Sequence, residues 1–153
     1  MHTTSGKQVS MLRSIAVRWL FKGALALVGV MAVACSATPQ VERVTVSEWS
    51  FRLDHSSVPA GQVTLEAVNQ GQATHEMVLL KTDLPTNALK VKANGAEVDE
   101  SASGEIMGEV EDLRPGQTKS VTVNLAPGRY VLTCNLLGHY NAGMVTEFTV
   151  TSS

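Results

Sequence analysis

The chain has 153 residues, which is the length of one domain. The first 35 residues hold four of the twelve basic residues and none of the fourteen acidic ones, so the remainder carries eight bases against fourteen acids, a net charge of −6. Because phosphate binding needs a basic surface, this balance argues against a nucleic-acid partner and allows a basic protein partner.

The N-terminal segment has the pattern of an export signal. Basic residues precede an apolar run, residues 23–34, that is too short to span a bilayer comfortably and has the length of a signal-peptide core. The run ends in an A-x-A cleavage pattern, and Cys35 follows it in a junction that resembles a bacterial lipobox. We predict a lipoprotein-type signal peptide over residues 1–34 and lipidation of Cys35. The alternatives are a soluble periplasmic protein cleaved beside an incidental cysteine and an uncleaved membrane anchor.

The rest of the chain is predicted to form a tether, residues 35–42, and one domain, residues 43–153. In the domain, apolar and polar residues alternate over short stretches between Pro- and Gly-containing turns, which is the pattern of half-buried strands. The predicted strands cover residues 44–53, 63–68, 75–80, 120–125, 130–134 and 145–151. Residues 85–92 are predicted to form a short helix.

About seven to eight short strands predict an all-β fold, a Greek-key β-sandwich. The segment Leu-Ala-Pro-Gly-Arg-Tyr that ends at Tyr130 resembles the tyrosine corner of such sandwiches. Residues 97–112 contain seven acidic residues and no basic one. Two interpretations of this acidic run stay open, a solvated surface and a docking patch for a cationic partner such as a basic cytochrome.

Cysteine usage points to a metal site. Cys134 is the only cysteine after Cys35, so it has no disulfide partner in the folded domain, although an exported protein can form disulfides. A lone thiol in an oxidising compartment is open to oxidation unless something occupies it. A bound metal ion would occupy it.

Three potential metal ligands lie within eleven residues. Cys134, His139 and Met144 follow one another with four residues between successive members. A thiolate, imidazole nitrogens and one weak thioether form the set that selects copper in a His₂Cys site with a long axial Met. Zinc is the weaker candidate, because Met is a poor zinc ligand. The loop supplies one His, so a second must come from elsewhere in the chain.

The C-x4-H-x4-M loop resembles the ligand loop of the cupredoxins, the family of blue (type 1) copper proteins that includes plastocyanin and azurin. Its spacing is similar to that of rusticyanin and the auracyanins, and residues 74–77 resemble the strand that carries the first His of the family. The resemblance implies a cupredoxin-like fold and one type 1 copper ion, bound by His75, Cys134, His139 and Met144. Glu76 departs from the family pattern, in which a neutral residue follows the first His, although its backbone N–H can still donate to the thiolate.

The resemblance also implies an electron carrier that cycles Cu(I)/Cu(II) between membrane or periplasmic redox proteins and catalyses no reaction. In the family the second His lies near the surface inside an apolar rim that serves as the electron port. The matching residues here are Leu136, Leu137 and Tyr140, and ordinary packing is their alternative role.

Two other functions compete with electron transfer. An extracytoplasmic copper-delivery protein without a redox circuit would release copper readily, whereas a carrier releases copper slowly and exchanges electrons fast. A copper enzyme such as a nitrite reductase needs further His ligands. After the predicted signal peptide only His55 remains, in a polar turn where we predict a solvated residue. We predict a monomer, attached to a membrane only through the lipid on Cys35.

Overall fold

The computed structural model describes residues 39–152. The predicted signal peptide, its cleavage site and Cys35 lie outside these residues. Within residues 39–152, no helix is both long enough and apolar enough to cross a membrane.

The described part of the chain forms two packed β-sheets. The strands are β1 Gln40–Ser47, β2 Ser50–Leu53, β3 Ser57–Pro59, β4 Gly61–Asn69, β5 His75–Lys81, β6 Glu105–Leu113, β7 Thr118–Leu125, β8 Gly128–Thr133 and β9 Val145–Thr151. One sheet has the order β2-β1-β4-β7 and the other β3-β9-β8-β5-β6. Within residues 39–152, helical structure is confined to one turn of α-helix, α1 Glu100–Ser103, and one 3-10 turn, Thr86–Ala88. The predicted all-β sandwich is confirmed.

Alternating apolar residues of the two sheets meet in the main core. On β4, Val63, Leu65 and Ala67 are fully buried while their neighbours are partly exposed, as expected for a strand with one face on the core. They pack with residues of the facing sheet, among them Tyr130 and Phe148. Burying a side chain of this size contributes roughly 1.5–3 kcal/mol, so this interior is the main source of stability.

Strand β8 is buried on both faces, because a second layer covers the outer side of its sheet. Val78, Leu80 and Val131 point outward and pack against Leu89 and Val98 from the connection between β5 and β6. The predicted helix over residues 85–92 is therefore wrong apart from its 3-10 turn. The connection instead lies flat on the sheet and pairs with itself through a bridge between Val91 and Val98.

The N-terminal strand β1 begins earlier than predicted and ends earlier than predicted. β1 begins at Gln40, so three residues of the predicted tether pair with β4. The predicted strand over residues 44–53 is a hairpin, with Ser47 opposite Ser50 and a two-residue turn between them. The second turn residue, Trp49, has φ +63°, a left-handed conformation that is unusual for a bulky residue.

His55 is exposed to solvent, as predicted, but it also has a structural role. Its side chain is 68% exposed, yet its Nδ1 lies 2.9 Å from Oε2 of Glu42 and its backbone N–H donates to Oε1 of the same carboxylate at 2.8 Å. Glu42 is fully buried on β1. His55 therefore satisfies a buried carboxylate, which explains how a charged residue lies inside a strand that the sequence pattern places in the tether.

The acidic run forms α1 and most of β6, the edge strand of the five-stranded sheet. Glu105, Glu109 and Glu111 are exposed on β6. Charged residues along an edge strand discourage pairing with another chain, so part of the acidic run has a structural explanation. The solvated surface that the sequence predicts is observed, and the docking role stays a prediction.

The tyrosine corner is present at the start of β8. Tyr130 is fully buried, and its hydroxyl donates to the carbonyl oxygen of Ala126 at 2.7 Å. The bond fixes the turn between β7 and β8 against the core. It acts four residues before Cys134, on the strand that delivers this thiol.

Replacing Tyr130 with Phe tests this bond. The variant keeps the ring and loses the hydroxyl, so we expect the free energy of unfolding to fall by about 1 kcal/mol in urea titrations monitored by tryptophan fluorescence. A variant as stable as the wild-type protein would show that this hydrogen bond contributes nothing to the free energy of unfolding.

Candidate metal centre

Cys134 follows the end of β8 and its thiol points into the core. Tyr130, Leu132 and Cys134 lie on the inward face of this segment, and all three are fully buried. The backbone N–H of Glu76 donates to Sγ of Cys134 at 3.4 Å, as expected from the sequence. A donor aimed at sulfur stabilises a thiolate, so the strand ends already provide part of the environment that a metal-bound thiolate needs.

Two imidazoles, the candidate nitrogen ligands, converge on this thiol. His75 is the first residue of β5 and is fully buried, and His139 lies on the loop between β8 and β9. Nδ1 of His139 is 3.2 Å from Sγ of Cys134 and 3.4 Å from Nδ1 of His75. One ligand atom from each of the three residues lies within 4.8 Å of the others, an arrangement that could hold a metal ion. Residues 64 positions apart thus meet at one point.

Short backbone bonds shape the loop that carries His139. The N–H of His139 donates to the carbonyl of Leu136, and the N–H of Met144 donates to the carbonyl of His139. Gly138 and Gly143 have φ of +81° and +96°, conformations that L-residues rarely adopt, and they flank the two later predicted ligands. These two glycines let the backbone turn immediately before His139 and Met144.

The connection between β5 and β6 holds the outer side of the same loop. Asn135 exchanges two hydrogen bonds with the backbone of Val98, donating to its carbonyl and accepting from its N–H. The N–H of Gly138 donates to the carbonyl of Ala96 at 2.8 Å. The ligand loop is therefore fixed from two sides, by the core and by the layer that covers the sheet.

Tyr140 belongs to the same set of contacts. Its hydroxyl donates to the carbonyl of Thr86 at 2.8 Å and accepts the N–H of Leu89 at 3.2 Å, and its ring packs on the outer apolar cluster. Of the other two residues of the predicted port, Leu137 is 70% exposed and Leu136 is half-buried against the main core. The structure places Leu137 at the surface and gives Tyr140 and Leu136 packing contacts, so the port stays a prediction.

Met144 lies directly beside Cys134. It is fully buried in the main core, and its carbonyl accepts the N–H of Cys134 at 3.2 Å. Its predicted role as the axial ligand stays a prediction. Met107, the other thioether near this core, is partly buried on β6 and packs against it.

Burial determines the protonation of the three candidate ligands. Burial lowers the pKa of His75, against the opposing charge of Glu48, and burial together with His75 lowers the pKa of His139. Both imidazoles are therefore neutral near pH 7, the form that binds a metal. Burial raises the pKa of the Cys134 thiol, against the N–H donors of Glu76 and Leu136. A bound cation would provide the charge that favours the thiolate.

Glu76 places an acidic group next to the site. Burial raises the pKa of its carboxyl group, and the charges of Glu100, Glu109 and Glu111 raise it further, while a backbone hydrogen bond from Asn135 opposes the shift. These four carboxyl groups influence one another beside the candidate metal centre. The acidic run thus extends to the residue that follows His75.

Two residues of the site were missed by the sequence analysis, and both belong to the β1–β2 turn. Oε1 of Glu48 lies 3.7 Å from Nε2 of His75, and the ring of Trp49 meets the ring of His139 edge-on at 4.9 Å between centroids. One signal was available, since Glu48 occupies the alternation position of the buried Val44 and Val46. A carboxylate at an inward position needs a polar partner.

The donor set suits copper. A thiol and two neutral imidazoles converge with their metal-binding atoms facing one another. The thioether of Met144 is buried in the same core. Soft sulfur together with imidazole selects copper over the hard cations that prefer carboxylates. His75, Cys134 and His139 would hold the ion, and the residues present fit it.

The comparisons agree with this site. The sequence matches the family described as Cupredoxin-like domain over residues 15–146. Among solved structures, auracyanin B is 29% identical with a TM-score of 0.53 and covers 75% of this chain and 91% of its own. Auracyanin A, a blue copper protein from Chloroflexus aurantiacus, is 24% identical with a TM-score of 0.54, covering 74% of this chain and 100% of its own.

A further solved structure, reduced rusticyanin, is 18% identical with a TM-score of 0.51 and covers 75% of this chain and 82% of its own. A comparison with curated proteins gave no match. Auracyanin A and rusticyanin show the shared fold. The family match covers most of the sequence and shows membership as well as fold. The chain belongs to the cupredoxin-like family.

Proposed function

We propose that the chain is a type 1 copper protein that carries single electrons between redox partners outside the cytoplasm. The observation that carries the proposal is the convergence of Nδ1 of His75, Sγ of Cys134 and Nδ1 of His139 in a buried position. Copper bound there would supply a one-electron Cu(I)/Cu(II) couple. Cys134 would bind copper as thiolate, the two histidines through Nδ1, and Met144 as a weak thioether ligand that helps to set the potential.

The way the ligands are held supports electron transfer over metal delivery. The backbone of Cys134 bonds to Met144, its sulfur accepts from Glu76, and Met144 bonds back to His139. Such mutual support resists movement, and an electron-transfer site must keep nearly one geometry in both oxidation states. A delivery protein must instead open its site, which the burial of these ligands disfavours.

The route for the electron would pass through His139. His139 is partly exposed, whereas His75 and Cys134 are fully buried. Leu137, two residues earlier in the loop, is 70% exposed, and Trp49 meets the ring of His139 edge-on while remaining 46% exposed. We propose that the port comprises the predicted residues of the loop together with Trp49.

The partner and the location are also proposals. The net charge of −6 after the first 35 residues and the carboxyl groups beside Glu76 favour a basic redox protein, such as a basic cytochrome, as the partner. The apolar run with the lipobox-like cysteine supports a lipid-anchored protein in the periplasm or on the outer face of the cell membrane.

An absorption spectrum tests the copper assignment. The Cu(II)-loaded protein is expected to show an intense thiolate-to-copper band near roughly 600 nm, and Cys134→Ser is expected to lose it because serine offers no soft sulfur donor. Met107→Leu is the matched control, since it removes a thioether that packs beside the core without being a predicted ligand. A colourless wild-type protein, or a band that survives in Cys134→Ser, would contradict the proposal.

The ionic-strength dependence of electron transfer tests the acidic surface. The rate of reaction with a basic cytochrome c is expected to fall steeply as salt rises through about 0.1 M, where the Debye length is about 10 Å. Glu109→Gln combined with Glu111→Gln is expected to flatten this dependence more than Glu66→Gln, which removes charge from β4. A rate indifferent to salt in the wild-type protein would exclude the acidic surface as the docking site.

A further inference from the structure

The second ring nitrogen of His75 is buried without a hydrogen bond. Among the residues that the structure describes, Nε2 of His75 is the one buried side-chain nitrogen or oxygen with no partner. Its other nitrogen, Nδ1, faces His139 and the metal centre. A buried polar group without a partner costs about 1–3 kcal/mol, so this orphan nitrogen marks a contact that is incomplete.

Glu48 is the charged group that faces this nitrogen. Its Oε1 lies 3.7 Å from Nε2 of His75, a few tenths of an ångström beyond hydrogen-bond distance. The carboxylate lies on the far side of the imidazole ring from the ligand atom Nδ1. The carboxylate therefore does not face the candidate metal position. It would influence a bound ion through the imidazole ring of His75.

The backbone of the loop before His75 holds the carboxylate of Glu48 in place. Its Oε1 accepts the N–H groups of Gln72 and Ala73, which belong to the loop that leads from β4 into His75. Gly71 permits this close approach, because a Cβ there would lie 2.6 Å from Oε1 of Glu48. The carboxylate thus connects the β1–β2 turn to the loop before His75, and these bonds keep it beside Nε2.

The chemistry of a metal-bound histidine requires such an acceptor. When Nδ1 binds a metal, the ring proton resides on Nε2, and ligating histidines almost always donate this proton to a carboxylate, a backbone carbonyl or water. We propose that Glu48 is the positioning residue of His75, accepting the Nε2–H bond and fixing the ring with Nδ1 toward the ion. This inference rests on the proposed copper site and extends it to the β1–β2 turn.

The bond has a consequence for the redox couple. A carboxylate acceptor makes the imidazole a stronger donor, and a stronger donor stabilises Cu(II) more than Cu(I). Glu48 therefore lowers the reduction potential of the site. The effect is electronic as well as structural, which separates it from a role in holding the loop alone.

Glu48→Gln is the variant that tests the inference. Gln keeps an oxygen that can accept from Gln72 and Ala73 and removes the charge. We expect Cu(II) to bind 10–100-fold more weakly while Cu(I) binding changes less. Each tenfold loss in relative Cu(II) affinity raises the potential of a one-electron couple by 59 mV. Glu66→Gln, which removes a carboxylate paired with Arg43 at the surface, is the matched control and is expected to leave the potential unchanged.

The ring proton gives a direct second readout. In the diamagnetic Cu(I) protein, ¹⁵N-resolved NMR is expected to show a slowly exchanging Nε2–H on His75 in the wild-type chain and in Glu66→Gln, and its loss or fast exchange in Glu48→Gln. A potential and an Nε2–H signal that Glu48→Gln leaves unchanged would overturn the inference, even if the protein is blue. If the wild-type chain takes up no copper, the proposed function fails, and the same NMR comparison on the metal-free protein decides the role of Glu48.

Discussion

The site depends on the contact between Cys134 and the first two residues of β5. β8 delivers the thiol to the point where β5 begins, and there the N–H of Glu76 donates to sulfur while the adjacent His75 contributes its imidazole. β5 and β8 are neighbours in one sheet, so their pairing fixes the two ligands relative to one another. The ladder of the sheet thus positions the candidate ligands Cys134 and His75. Every other element of the site is arranged around this pair of strand ends.

Burial creates the second constraint. Removing a thiol and two imidazoles from water raises the pKa of the first and lowers the pKa of the others, so that the metal-free site holds neutral groups without excess charge. The fold therefore tolerates the site in the absence of metal. One polar atom of the site, Nε2 of His75, is buried without a hydrogen-bond partner, and it lies where the β1–β2 turn presents the carboxylate of Glu48. The β1–β2 turn contacts both imidazoles, with Glu48 at the ring of His75 and Trp49 at the ring of His139.

Sequence patterns predicted the sandwich and the ligand loop for physical reasons. Strand alternation follows from burial of one face, and the spacing of Cys134, His139 and Met144 reflects a loop that must return to the same point. His75 lies about sixty residues away, and its assignment needed the resemblance to the family. The predicted helix over residues 85–92 was wrong, because Leu89 packs on the outer face of a sheet that the local sequence does not show.

The contacts of Glu48 and Trp49 depend on tertiary structure in the same way. Alternation through residues 44–53 continues across the turn, so the pattern alone predicts one strand. The turn becomes apparent only when Ser47 pairs with Ser50. The tether was predicted too long for a related reason, since a buried Glu42 has the appearance of a solvent-exposed residue until His55 is placed beside it. Long-range polar pairs were the features that the sequence did not reveal.

The most direct test of the account is a crystal structure of the copper-loaded protein with anomalous scattering measured at the copper edge. The account predicts one copper peak among Nδ1 of His75, Sγ of Cys134 and Nδ1 of His139, with the backbone of residues 134–144 in the conformation described above. A copper peak elsewhere, for example at His55, or a ligand loop that rearranges to bind the ion, would contradict it.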